Sequence, residues 1–319
     1  MENFYMPDNY EPILNLKETA AFIKITNDYL ETNFARELNL MSVPSPSFTL
    51  LENDKCNNSI NKKKEPILEK EEKNKIKHCD NEIISWKKNA LNRYGFETEN
   101  GLYTRLTCEE NIAQSKIYYS VLSWEKKIKK NDKNLHLIKY IAKKIFKILK
   151  MAEKYIYQIN SKLTFQLLDE MDFMTLQEIE EKFPNITLEN AIIKITKKKK
   201  IVCIIENEPI NNSKKINKNN SLQKHCCEIN GYIFLYYSIT NQFHKISNIK
   251  VSANNCENTV IKNQKNTHSK SIFQTIGGNI NITKILIFFL KKIHVGEIQS
   301  LIWPEKFAKL SNDYNIMLP

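Results

Sequence analysis

The chain has 319 residues, 41% of them hydrophobic and 26% charged, with a formal net charge of +12. That much apolar material excludes a disordered or fibrous chain, and the length suffices for one large domain or two small ones around a buried core. The positive charge is nearly all lysine, with arginine only at Arg36, Arg93 and Arg105. It reads either as lysine enrichment of solvated surface positions or as a surface for nucleic acid.

The first expected element is a helix over about Lys17–Asn39, where Phe22, Leu30, Phe34 and Leu38 recur at helical spacing and define a buried face. Leu40–Val43 and Ser47–Leu51 follow as extended segments separated by Pro44 and Pro46, which confine them to a sheet edge or a turn into a strand. Residues 52–80, rich in Lys, Glu and Asn, read as a solvated loop, and Ile83, Ile84 and Trp86 restart the core. Gly101–Leu106 and Lys116–Leu122 read as successive strands.

Leu135–Ile159 carries the strongest helical signal. Ile138, Ile141, Ile145, Leu149, Ala152 and Ile156 line one face and lysines the other, a pattern that fits a solvated face better than a nucleic-acid site. Short helices are expected over Thr175–Phe183, stopped by Pro184, and over Thr187–Lys197, where Thr187 can cap and Glu189 sits in the first turn. Ile201–Ile205 has the character of a buried strand and Gly231–Ile239 that of a long aromatic one, with polar loops at about 207–229 and 252–270. A helix from about Ile282 to Ile293 closes the pattern. Helices flanking strands that do not alternate with them predict an α+β fold with a mostly antiparallel sheet.

The seven cysteines, at positions 56, 79, 108, 203, 226, 227 and 256, include no C-x-x-C pair, and His225-Cys226-Cys227 has no second half at zinc spacing, so no metal site is expected. The odd count, and an N-terminal MENFYMPDNYEP without a basic segment leading into an apolar one, suggest a reducing, cytoplasmic compartment. The longest tempting apolar run, Ile285–Leu290, is far too short to cross a bilayer.

Three stretches carry a family resemblance. The first is Trp86-Lys87-Lys88, followed after a short gap by Gly101-Leu102-Tyr103-Thr104. The second is Tyr118 with Ser123-Trp124-Glu125. The third is Gln274-Thr275-Ile276-Gly277-Gly278, then Lys284 opening an apolar helix, His294-Val295-Gly296-Glu297-Ile298-Gln299 and Trp303-Pro304. In order and spacing these resemble the ammonia-dependent asparagine synthetases, the aspartate–ammonia ligases, over about residues 10–310, read as one catalytic domain.

The resemblance implies the catalytic-domain fold of the class II aminoacyl-tRNA synthetases, a homodimer, and ATP with Mg2+ as cofactors. It implies aspartate and ammonia as substrates: ATP activates the aspartate side chain as an aspartyl-adenylate and ammonia then displaces AMP. Lys87 matches the family's active-site lysine and would bind the aspartate carboxylate or phosphate; the alternative is a surface lysine in a lysine-rich chain. Gly277 and Gly278 match a glycine-rich turn that lets ATP approach the backbone near a helix N-terminus, although a tight strand-to-helix turn would need glycine in any case. Lys284 stands where the family has an arginine and keeps the charge without the bidentate fork.

Several family positions are replaced. Asn57 stands near an acid that receives the substrate ammonium, Val121-Leu122-Ser123 lack the family's glutamine and aspartate, Glu110 falls near a family arginine, His244 matches a glutamate and Asn281 a glycine. Such a site predicts a slow or inactive ligase, since one lost preorganised group typically costs about 100- to 1000-fold. The readings are therefore a diverged ligase, a non-catalytic relative serving as a binding or regulatory subunit, or an RNA-binding module on a synthetase-like fold. No RNA-recognition motif accompanies the positive charge.

Overall fold

Asn15 opens the first helix, α1 (Leu16–Leu38). Its side chain accepts the Glu18 N–H at 2.8 Å while the Glu18 carboxylate accepts the Asn15 N–H at 3.0 Å, a reciprocal cap that fixes where the helix starts. Asn39, with φ of 53°, ends it in the left-handed conformation that asparagine tolerates. The computed structural model describes residues 10–42, 100–112, 115–129, 134–207, 229–253, 273–299, 309, 311 and 316–318. The expectations for Ser47–Leu51, for residues 52–80, for Trp86 and Lys87, and for most of the loops at 207–229 and 252–270 lie outside these residues.

After α1 come β1 (Met41–Ser42), β2 (Asn100–Ile112), β3 (Ser115–Lys129), α2 (Asn134–Ile159) and β4 (Asp172–Thr175). Then follow α3 (Leu176–Lys182), α4 (Leu188–Lys199), β5 (Ile201–Asn207), β6 (Ile229–Tyr237), β7 (Gln242–Ala253), β8 (Phe273–Asn281), α5 (Ile282–Phe289) and a 3-10 turn at Val295–Glu297. Among the described residues eight strands form one sheet in the order β1-β2-β3-β8-β7-β6-β5-β4. Only the outermost pairs, β1/β2 and β4/β5, run parallel, so the sheet is mostly antiparallel, as the sequence pattern predicts.

Thr175 and Thr187 cap α3 and α4 through their side chains, as their position before each helical run implies. The expected helix to Ile293 stops instead at Phe289. Lys291 adopts φ of 54°, and the Lys292 N–H reaches back to the Ile287 carbonyl at 2.9 Å, turning Lys292 into the interior.

The sequence pattern also missed three strands, β8 among them, which it read as a glycine-rich turn. β4 is only four residues long and half-buried throughout. In β7 a bulge opposite Ile233/Phe234 breaks the alternation, so Ile246, Ile249 and Val251 do not keep the period of two that marks a strand.

One face of the sheet carries Leu122, Trp124, Ile233, Leu235, Ile249, Val251, Ile276 and Ile280, packed with α1, α2 and α5 into the main core. The opposite face is covered at the β5–β6 end, where Val202, Ile204 and Phe234 pack with Ile179, Ala191, Ile192 and Ile195 of α3 and α4. The outward side chains Ser123, Glu125, Asn279, Asn248 and Lys250, on β3, β8 and β7, belong to neither core. Among the described residues no helix is long and apolar enough to cross a membrane.

Candidate active site

Directly paired residues in a sheet point to the same face, so the register assigns side chains to the polar face, which neither of the two described cores occupies at β3, β8 and β7. One row across adjacent strands reads Gly101, Glu125, Gly277, Lys250, Asn230 and Glu206, through β2, β3, β8, β7, β6 and β5. The next row reads Ser123, Asn279, Asn248 and Tyr232. Strands lie about 4.8 Å apart, so Glu125 and Lys250 stand roughly 10 Å apart with the bare backbone of Gly277 between them. An acid, an open peptide and a base thus meet in line on three neighbouring strands.

The second row is hydrogen-bonded from Ser123 to Asn248. Ser123 Oγ donates to Asn279 Oδ1 at 2.8 Å, and the Asn279 backbone N–H donates to Asn248 Oδ1 at 2.7 Å. Beyond it the Tyr232 hydroxyl donates to the Glu206 carboxylate at 2.9 Å, and Lys245 Nζ lies 5.5 Å from the Tyr232 ring centre. Past the end of β8, the Asn281 side chain accepts the Lys284 N–H at 2.9 Å and caps α5. The asparagine in the family's glycine position has therefore gained a job that glycine cannot do. Lys284 sits in the first turn of α5, its Nζ 5.3 Å from the Tyr119 ring centre.

His244 departs from its sequence match. It pairs with Leu235 and sits 6.2 Å, ring centre to ring centre, from the buried Tyr237, on the core side of the sheet. Burial, with a smaller push from Lys284, lowers its pKa to about 4, so it is neutral near pH 7. The bulge in β7 brings Lys245, not His244, against Tyr232 on the uncovered side.

Gly277 and Gly278 do not form the expected turn; both lie within β8, and the strand-to-helix junction is Asn281. The reason for glycine is close approach between strands. A Cβ at Gly278 would fall well inside contact distance of the Asn248 carbonyl oxygen, and one at Gly277 would lie 2.8 Å from the Trp124 carbonyl oxygen. The Gly278→Ala variant is expected to lose about 3 kcal/mol by forcing β7 and β8 apart in the middle of the sheet. A urea midpoint within error of the wild type, at unchanged m-value, would show that the strands separate without penalty.

A family model described as aspartate-ammonia ligase matches residues 17–315. The chain belongs to the aspartate–ammonia ligase family. It is 32% identical to the aspartate–ammonia ligase of Clostridium tetani over 98% of this chain and 96% of that one. It is 28% identical to the enzyme of the same name from Ruminiclostridium cellulolyticum over 100% of both. Among solved structures, the asparaginyl-tRNA synthetase from Pyrococcus horikoshii complexed with asparaginyl-adenylate is similar in fold, with a TM-score of 0.50 at 9% identity over 90% of this chain and 70% of that chain. The chain spans only 58% of the aspartyl-tRNA synthetase of Entamoeba histolytica. The fold is thus that of the class II synthetases.

Of the family positions marked in the sequence, Gly277 lies on the uncovered face, Gly278 is held by strand packing, Lys284 stands beyond the end of the strand, and Lys87 lies outside the described residues. Asn248, Lys250 and Asn279 were missed. A signal for two of them exists: Asn248, Lys250 and Ser252 alternate with Ile249 and Val251, the mark of a strand with one wet face.

The described remainder of the C-terminal motif, His294–Gln299, makes hydrogen bonds within the fold. Gly296 donates its N–H to His294 Nδ1 at 3.0 Å, and Gln299 donates to Thr283 Oγ1 at 3.2 Å. That same hydroxyl oxygen accepts the Ser120 N–H at 2.8 Å. The motif thereby locks α5 against the start of β3.

Proposed function

We propose that this chain is a working, diverged ligase that joins ammonia to the side-chain carboxylate of aspartate at the expense of ATP, through an aspartyl-adenylate, releasing AMP and pyrophosphate. The observation that carries this reading is the Glu125–Gly277–Lys250 row, on the uncovered face of a sheet whose family match runs over residues 17–315. Adenylation needs cationic charge at phosphate oxygens, room at the backbone for the nucleotide, and an acid for the substrate's ammonium. Lys250 and Lys284 supply the first, Gly277 the second and Glu125 the third. By the family resemblance, Lys87 would supply a third cation for the substrate carboxylate or phosphate.

Among the described residues no three His, Cys, Asp or Glu side chains gather as a metal cluster. Mg2+ keeps most of its waters and is held by one or two carboxylates together with phosphate oxygens. Glu125 would serve both this ion and the substrate ammonium through its two carboxylate oxygens. Bound ATP and Mg2+ supply the activated phosphoryl group; the residues of this chain hold and orient. Assembly as a homodimer, a cytoplasmic location and a single domain over about residues 10–310 complete the proposal.

Pyrophosphate release is expected only when aspartate, ATP, Mg2+ and ammonia are all present, with Lys87→Ala slower by about 100-fold or more. A wild-type signal no greater than that of Lys87→Ala would sink the ligase reading.

A further inference from the structure

In the Ser123–Asn279–Asn248 row, both carboxamide oxygens are already used. Asn279 Oδ1 accepts from Ser123, and Asn248 Oδ1 accepts the Asn279 backbone N–H. A carboxamide bonded through its oxygen has its two N–H donors left over. Among the described residues neither the Asn248 nor the Asn279 Nδ2 has a hydrogen-bond partner, although both side chains are half-buried. Asn248 and Asn279 are directly paired across β7 and β8, so their side chains lie side by side on the uncovered face. The backbone N–H fixes the Asn248 carboxamide in one orientation, because only an oxygen can accept it.

The result is a preorganised, neutral set of donors with no acceptor of its own. The neighbouring row places Lys250 and Glu125 one pleat away, about 7 Å along the strands. A surface of N–H donors beside a lysine suits an oxygen that carries negative charge, and hydrogen bonds to charged groups are the stronger kind.

We infer that Asn248 and Asn279 form a ligand-binding pair whose side-chain N–H groups grip an anionic oxygen, carboxylate or phosphate, of the substrates. The inference rests on the ligase reading for the identity of those substrates but not for the existence of the site. The pair binds and orients; no proton moves at it.

The test uses near-isosteric variants. Asn248→Asp keeps the oxygen that accepts the Asn279 N–H but replaces the donors with a second, charged oxygen. Asn279→Asp does the same while keeping the acceptor for Ser123. Calorimetry with aspartate in one arm and pyrophosphate in the other distinguishes carboxylate from phosphate. In the wild type, the side-chain amide resonances of both asparagines should shift as the successful ligand is added. Each variant should weaken that ligand at least about tenfold, with an unchanged urea midpoint showing that the fold is intact. Asn248→Ser, which keeps an acceptor for the backbone N–H without adding charge, should weaken it in the same direction.

Unchanged affinity in all three variants overturns the inference, and so does a wild type that binds neither ligand. Full ligase activity in all three variants would overturn it while leaving the ligase reading in place. Pyrophosphate binding lost in the variants, in a protein without ligase activity, would support the site and sink the ligase reading.

Discussion

The Lys292→Met variant loses about 3–5 kcal/mol of stability, the largest single loss expected outside the apolar core. Lys292 is 1% exposed, and its Nζ lies 3.5 Å from a Glu297 carboxylate oxygen and 3.1 Å from the Leu14 carbonyl. Glu297 also accepts the Tyr10 hydroxyl at 2.9 Å and the backbone N–H groups of Ile293 and His294 at 2.9 and 3.2 Å. Burial lowers the Lys292 pKa, against the pull of Glu297, and raises that of Glu297, against the pull of Lys292. Each ion is tolerated in the interior only because of the other.

Methionine fills the space of the lysine stem but leaves Glu297 as an uncompensated buried charge. The double variant Lys292→Met/Glu297→Gln removes both charges, and its amide oxygen can still accept from Tyr10 or a backbone N–H. It is expected to cost less than the sum of the singles by about 2 kcal/mol. Singles that add in a urea double-mutant cycle would show the pair to be uncoupled. Because neither side chain meets solvent, the loss should persist at high salt, unlike that of a surface pair such as Lys24–Asp28. The pair fastens Leu14 to Lys292, residues 278 apart in sequence, so its rupture frees the N-terminal entry into α1 from the turn after α5.

What the sequence disclosed and what it hid follow the range of the forces involved. The helix at Asn134–Ile159 was legible because its burial repeats every three or four residues, a local signal, and the caps at Thr175 and Thr187 were legible because they act within three residues. The uncovered face was not. Asn248 and Asn279 meet through strand pairing across 31 positions, and a register shift of one residue would have sent both into the core. Nor could the motif match show why either glycine is there: Gly277 is crowded by the Trp124 carbonyl of β3 and Gly278 by the Asn248 carbonyl of β7. The same holds for His294–Gln299, which reads as a family signature and proves to be a clasp for α5. A position that looked like a loss, Asn281, carries a hydrogen bond that the glycine it stands for could not make.

Acid should unfold the protein well before its carboxylates explain it. Burial lowers the pKa of His294 from 6.5 to about 4, and burial with Lys284 lowers that of His244 equally far. Between those two values the unfolded chain takes up a proton that each folded histidine refuses, so stability falls as pH drops through this window and levels off below it. From pH 7 to pH 5 each histidine removes about 2 kcal/mol. Glu297 works in the opposite direction: burial raises its carboxyl above the ordinary range, so the folded state binds that proton more readily as the pH falls and recovers part of the loss. For His294 the cause is also visible in the bonding, because its Nδ1 accepts the Gly296 N–H at 3.0 Å and cannot do so once protonated. His294→Asn keeps an acceptor for that N–H and removes the titrating ring. Its urea midpoint should fall less between pH 7 and pH 5 than that of the wild type, by the equivalent of up to one proton. A wild-type midpoint that is level across the window would mean that both histidines are protonated in the folded state, and that the space around Tyr237 and α5 is wetter than their burial implies.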